Sequence, residues 1–256
     1  CKSVIPLNVT LLPLLKKLIE SVDDGRIGDK TTYTIVDKDL NELLSEEAGD
    51  NDFPFTFNLI NENIIEITDL GKTSFNDFIK NKKDKISNYK KLIDIIIKMQ
   101  NIRLKKKYNF KKNKIKFEKY NIYNLHKESD LFFDWYLRYL FTKKKAKQIK
   151  TKVKKELNKI YKKLYFKNNY FTHRDFHASN IMISKKGFGV IDSQDAIIGN
   201  PLYDVASLID DVRIRIPNKT KEELFKYYSR KSKFKKINLK NDFDILSVQR
   251  NLKILG

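Results

Sequence analysis

His173-Arg174-Asp175-Phe176-His177-Ala178-Ser179-Asn180, followed by Ile191-Asp192, is the stretch on which the reading of the whole chain turns. It fits the spacing H-R-D-x-x-x-x-N with a further aspartate beyond it, an order of parts used in phosphoryl transfer. The chemistry accounts for the residue types. A carboxylate that orients and deprotonates a hydroxyl must reach the nucleophile, and Asp175 on an ordered loop meets that need. Mg2+ takes oxygen ligands in octahedral geometry, with one or two protein donors completed by phosphates and water. Asn180 offers a neutral oxygen and Asp192 a charged one. Between them, Asn180–Ser184 and Phe188–Ile191 read as strands turned by Lys185-Lys186-Gly187, a hairpin that would fold the two donors onto a common centre. The plainer alternative makes Asp175 and Asn180 turn residues and His173 a core histidine. It leaves three polar types at mechanistic spacing to coincidence.

On either side of this stretch the pattern is strands first and helices after. Val9–Ser21 carries an amphipathic apolar set, and Thr31–Val36 is β-branched and aromatic, which predicts a strand. Phe55–Ile60 and Ile64–Ile67, split by Asn61-Glu62-Asn63, predict a hairpin, and Thr73 or Ser74 would cap a short helix over Phe75–Lys80. Ile86, Tyr89, Leu92, Ile93, Ile96 and Met99 recur at helical spacing. Leu104–Tyr120 is a lysine-rich connection without period, and the aromatic run Leu131–Leu140 is expected to be largely buried. Ile149, Val153, Leu157, Ile160 and Leu164 form one stripe on a helix whose other faces are lysine. Beyond Pro201, helices are expected over Leu202–Val212, over Lys221–Tyr228 and from Phe243 to the end. The resulting plan is α+β: a small antiparallel sheet lobe with hinge over 1–71, incomplete or diverged, and a larger helical lobe over 72–256.

The 256 residues are 41% hydrophobic, enough for one large domain or a two-lobed fold. No apolar run approaches the roughly 20 residues of a membrane span, so no membrane partner is expected. One cysteine, Cys1, excludes a disulfide framework and a cysteine zinc site and suits a reducing compartment. No basic stretch followed by an apolar one opens the chain as a leader would, and a cytoplasmic location is the expectation. The chain does not begin with Met and stops inside a helical pattern, as expected of a piece of a longer protein.

The net charge of +21 invites a nucleic-acid reading, but only 8 of the 53 basic residues are arginine. Nucleic-acid readers lean on arginine for bidentate and stacking contacts. The lysine excess travels with Ile, Asn, Tyr and Phe, the signature of A/T-rich codons, and argues for solvated lysines. The charge is also uneven: residues 1–71 hold 6 basic and 14 acidic side chains, and residues 72–256 hold 47 and 18. A basic RNA-binding or scaffold protein on a kinase-like shell stays as the non-enzymatic alternative.

Taken together, HRDFHASNIMI, VIDSQDAIIGNPLYDVASLIDD and FDILSVQRNLKILG resemble the aminoglycoside phosphotransferase/choline kinase superfamily. Within it they are most similar to the bacterial N-acetylmuramate/N-acetylglucosamine anomeric kinases. Ile64–Gly71 (IIEITDLG) is similar to that family's strand-and-hinge segment and Leu131–Leu137 (LFFDWYL) to its LF-x-x-WY helix, so the likeness spans about residues 62–256. It implies a protein-kinase-like two-lobed fold with ATP between the lobes, its adenine against the hinge at Glu66, Ile67 and Thr68. It implies Asp175 as base, Asn180 and Asp192 as Mg2+ ligands, and Asp204 as a buried acid bracing the catalytic loop with His173 and Arg174. Asp195 would face the acceptor or form an Asx turn, and His177 would touch substrate or fix the loop. The implied substrate is a small molecule, an amino sugar first, with aminoglycoside, choline or another amino alcohol as alternatives. Trp135, Asp195, Asp211 and Arg213 are cleft-side candidates that do not separate these acceptors. The chain departs from the pattern in having no G-x-G-x-x-G and no identifiable β3-type lysine, and Ser193 stands where an aromatic usually follows the metal-binding aspartate.

Overall fold

The computed structural model describes residues 35–36, 57–61, 64–67, 70–80, 82–104, 108–110, 113–115, 117–184, 187–234 and 236–256. In chain order the first elements are β1 (Ile35–Val36), β2 (Phe57–Asn61), β3 (Ile64–Ile67), β4 (Thr73–Ser74), α1 (Phe75–Lys80) and α2 (Lys85–Asn101). Next come β5 (Tyr108–Phe110), β6 (Asn113–Ile115), α3 (Ile122–Leu131), a wide π turn (Phe132–Tyr136), α4 (Leu137–Leu140) and α5 (Lys143–Tyr161). The last group is β7 (Tyr170–Thr172), β8 (Ile181–Ser184), β9 (Gly187–Val190), β10 (Ile197–Gly199), α6 (Leu202–Ile209), α7 (Asn218–Lys231) and α8 (Leu239–Leu255). The α+β expectation holds. The helix expected over Val9–Ser21 and the first four residues of the strand Thr31–Val36 lie outside the described residues.

The chain divides into two compact units. One comprises Cys1–Lys83, Ile102–Phe117 and Ala178–Ala196 and holds small antiparallel sheets. β2 and β3 pair with Phe57 opposite Ile67 and Asn58 opposite Glu66, and β1 joins the free side of β2. β4 pairs with β8, and β8 with β9, in a second sheet. Its root is apolar: Leu70 and Ile191 are buried together with Met182 packed on them. Gly71 follows at φ +78, and a Cβ there would sit 2.9 Å from the Ile183 carbonyl oxygen, so the chain can turn into β4 only at a glycine. α1 is capped by Ser74, whose Oγ accepts the Asp77 N–H at 3.2 Å, and Phe75 meets Phe188 edge-on at 5.6 Å. The stretch Leu104–Tyr120, read as a lysine-rich connection without clear period, contains the antiparallel pair β5 and β6.

The other unit, Asp84–Asn101, Glu118–His177 and Ile197–Gly256, is mostly helical. α6 is its centre, with all eight residues buried, the behaviour of a helix enclosed on every side. α8 packs on α6 and α3, and α2 packs on α7. Asp84 caps α2 by accepting the Ser87 N–H at 2.9 Å, and Asn121 and Asn124 cap α3 reciprocally. β7 and β10 form a short antiparallel pair that leads into the loop at residue 173.

Two expectations change here. The aromatic run Leu131–Leu140 is not largely buried: Phe133 and Leu137 are, but Trp135 is 68% and Tyr139 88% exposed. A single helix packed on one side shelters only residues three or four apart, however apolar the rest. On α5 the buried positions are Ala146, Leu157 and Tyr161, while Ile160 is exposed and Leu164 lies past the helix. The lysine faces of α5 are solvated, and no helix among the described residues is long and apolar enough to cross a membrane.

Candidate functional site

In the helical unit, β7 delivers the chain to His173, and the loop that follows is pinned from below by Asp204. This carboxylate, in the first turn of α6, accepts the His173 N–H at 2.7 Å and the Arg174 N–H at 3.0 Å. It is 3% exposed, and burial pushes it up to about 7 against the opposing pull of those two N–H groups. Arg174 adopts φ 71, the left-handed region that L side chains avoid. Its guanidinium is held by Glu128 of α3 at 2.5 Å.

Asp175 comes next and faces two cations of α8, Arg250 Nη1 and Lys253 Nζ, each 3.4 Å from its Oδ1. Burial raises the affinity of Asp175 for a proton, but Lys253 and Arg250 more than offset it and hold the carboxyl below the ordinary carboxylate range. Asp175 is therefore ionised at neutral pH. Arg250 also donates to the Arg174 carbonyl at 3.1 Å, so one buried side chain supports both loop backbone and carboxylate. His177 is buried, its N–H donates to the Asp175 carbonyl at 3.0 Å, and burial with the nearby Arg213 and Arg250 charges pushes its imidazole down to about 4. Arg213 itself is clasped by Asp211 at 2.6 Å.

In the sheet unit, a single turn over Ala178–Asn180 starts the β8–β9 hairpin. The Ile191 N–H returns to the Asn180 carbonyl at 2.9 Å, and the Asn180 Nδ2 donates to Asp192 Oδ2 at 3.3 Å. The hairpin thus brings these two side chains together. Asp192 also takes φ 71, so Arg174 and Asp192 are the two positive-φ residues other than glycine among the described residues. Backbone strain of this kind costs about 1–3 kcal/mol and concentrates at working sites. Asp195 closes the short turn Ser193–Asp195 and is exposed, while Ser193 is buried. Glu66 and Ile67 are the last residues of β3, and Thr68 lies outside the described residues.

Residues 114–236 match the family model described as phosphotransferase enzyme family, APH. The match takes in 123 of the 256 residues, just under half of the chain. The chain is 31% identical over 140 residues to the N-acetylmuramate/N-acetylglucosamine kinase of Pseudomonas aeruginosa, covering 52% of this chain and 41% of that protein. It is 32% identical over 93 residues to the enzyme of that name from Neisseria meningitidis, covering 34% of this chain and 28% of that protein. The chain thus matches well under half the length of these curated relatives. Among solved structures it is similar to a thermostable mutant of aminoglycoside phosphotransferase APH(4)-Ia with AMP-PNP and hygromycin B, at 12% identity, TM-score 0.49 and coverage of 84% of this chain and 72% of that one. The gentamicin–APH(2")-IIa complex matches at 12% identity and TM-score 0.47, over 98% and 97% of the two chains.

The matched segment holds most of the residues named from the sequence, but Glu128, Arg250 and Lys253 escaped that reading. Arg250 and Lys253 were visible only as part of the QRNLKILG likeness. Their i, i+3 spacing on one face of a helix was the available signal. Glu128 sits in a helix of mixed pattern, and nothing local marks it.

Proposed function

We propose that this chain carries the machinery of an ATP- and Mg2+-dependent small-molecule kinase acting on the anomeric hydroxyl of an amino sugar. The acceptor in this reading is N-acetylmuramate or N-acetylglucosamine, and the setting is cytoplasmic recycling of cell-wall sugars. The setting of Asp175 carries the proposal: a carboxylate kept ionised by Arg250 and Lys253, on a loop braced by Asp204, within the segment that matches the APH family model. Relatives named for those two sugars support the choice of acceptor.

Asp175 orients the acceptor hydroxyl and takes its proton as the oxygen attacks. An anomeric hydroxyl is more acidic than an ordinary alcohol, so a carboxylate below its usual range suffices as base. His173, Arg174 and Asp204 hold the loop in place, His177 fixes its far end, and Asp195 is the residue turned to the acceptor. In this reading Glu66, Ile67 and Thr68 receive the adenine.

The donors fit Mg2+ carried by a nucleotide. Asn180 and Asp192 converge as one neutral and one charged oxygen donor once the Asn180 amide turns its Oδ1 to the ion. Among the described residues no cluster of three or more His, Cys, Asp or Glu side chains forms a self-sufficient metal site, so phosphates and water must complete the shell. When bound, the ion neutralises charge on the phosphates and aligns them for in-line transfer.

The cations beside Asp175 favour a neutral or acidic sugar over the polycationic aminoglycosides and over choline, which like charge would repel. The test is turnover of ATP with N-acetylglucosamine, its methyl glycoside, its 6-deoxy analogue, kanamycin and choline. The expected product is an acid-labile 1-phosphate, with the methyl glycoside inert and the 6-deoxy sugar still a substrate. Undiminished turnover of the methyl glycoside would rule the anomeric reading out.

A further inference from the structure

Glu128 of α3 is 8% exposed and collects more polar contacts than any role in capping its own helix requires. Its Oε2 accepts from the Tyr203 hydroxyl at 3.0 Å, from Gln249 Nε2 at 2.9 Å and from the Tyr120 hydroxyl. Its Oε1 accepts from Arg174 Nη2 at 2.5 Å and lies 3.9 Å from Lys253 Nζ. Arg174 and Lys253 each lead on to Asp175. Arg174 precedes it in the chain and holds the left-handed backbone that turns the loop, and Lys253 reaches its carboxylate at 3.4 Å. Lys253 is therefore shared between two carboxylates.

We propose that Glu128 is a positioning residue for Asp175, acting through Arg174 on the loop backbone and through Lys253 on the charge that the carboxylate feels. The proposal rests on the reading of Asp175 as the base. A base flanked by two cations is ionised but weakened, because each cation stabilises the charged form that must take up the proton. Glu128 counters this. Its charge draws Lys253 part of the way off Asp175 and anchors Arg174, so a strained φ persists without a glycine. The two tyrosines and Gln249 fix the carboxylate in turn, which makes the offset a built property of the fold and not a mobile surface pairing. Arg174, His177, Tyr203, Asp204, Arg250 and Lys253 are the charged and titratable groups in this unit that bear on Asp175. Of these, Glu128 directly contacts Arg174, Lys253 and Tyr203.

The experiment compares wild type, Glu128→Gln, Glu128→Asp, Glu128→Gln with Lys253→Met, and Asp175→Asn. Two readouts are taken on each: kcat and KM for MgATP with N-acetylglucosamine as acceptor, and the titration midpoint of the Asp175 carboxyl by carbon NMR, which needs no turnover. Glu128→Gln should lower kcat by about ten- to a hundredfold with KM for MgATP unchanged, and should move the Asp175 midpoint downward. Removing Lys253 in that background should return the midpoint toward wild type and recover part of kcat, which a purely structural role for Glu128 does not allow. Glu128→Asp keeps the charge but withdraws it by one methylene, and should show the same shifts at smaller size, even where Glu128→Gln fails to fold. An unchanged midpoint in the folded Glu128 variants overturns the proposal, as does a loss of kcat that Lys253→Met leaves untouched. Full turnover by Asp175→Asn would instead overturn the reading of Asp175 as base, and the NMR midpoint would still decide whether Glu128 sets its charge.

Discussion

Residues 173–177 and 178–192 are consecutive in the chain, and the two stretches are held by different means. The first is gripped from several sides: Asp204 takes two of its backbone N–H groups, and Glu128, Arg250 and Lys253 take its side chains. The second is a hairpin rooted on the apolar Leu70, Ile191 and Met182, with its two proposed ligands joined to each other by a 3.3 Å hydrogen bond. The difference matches the tasks assigned to them. A base acts through its own geometry and must be rigid before substrate arrives. A pair of magnesium ligands works together with nucleotide phosphates and water, which complete the shell around the ion.

The sharpest way to break this contrast is at Asp175. Asp175→Asn should cut kcat by about 10²- to 10⁴-fold, the usual worth of a positioned base, measured under saturating MgATP and acceptor. A smaller loss would mean that the tightly held loop is scaffold. Next in size is Asp204→Ala, which strands two buried N–H groups at about 1–3 kcal/mol each and frees the strained Arg174. Urea denaturation should show this as a lower midpoint at unchanged slope.

Asp204 shows what could be seen in the sequence and what could not. The H-R-D-x-x-x-x-N spacing, the hairpin and the helix after Pro201 were legible because each rests on local signals: turn residues, alternation and a helical period. Asp204 came from likeness to a family motif, since an aspartate inside an apolar helix is locally ambiguous between core acid and surface residue. Glu128 left no trace, because its meaning lies in Tyr120, Arg174, Tyr203, Gln249 and Lys253, partners up to 125 residues away in the chain. The exposed Trp135 and Tyr139 mislead in the opposite direction, since hydropathy reports what a residue prefers and packing decides what one helix face can shelter.

His177 sharpens the contrast through pH. Its imidazole is pushed down to about 4 in the fold, whereas in the unfolded chain it titrates near its ordinary value. Between these values the unfolded state binds a proton that the folded state refuses, so stability is complete above about pH 6.5 and is lost as the pH falls toward 4, by up to about 3 kcal/mol. Thermal denaturation across that window should show the loss in wild type and a flatter profile in His177→Gln. The smallest effect belongs to the lysine faces of α5. Lys144→Ala or Lys155→Ala should change stability by no more than about 0.5 kcal/mol, and should leave any weak RNA binding steeply salt-dependent and without base preference.

The division of labour between the two stretches is tested most directly by the dissociation constant for MgATP, measured by calorimetry, in Asp175→Asn and Asp192→Ala. A base acts in the transition state, so Asp175→Asn should bind MgATP as wild type does, while Asp192→Ala, lacking the charged metal ligand, should bind it at least about tenfold more weakly. Equal affinities in the two variants would contradict the account.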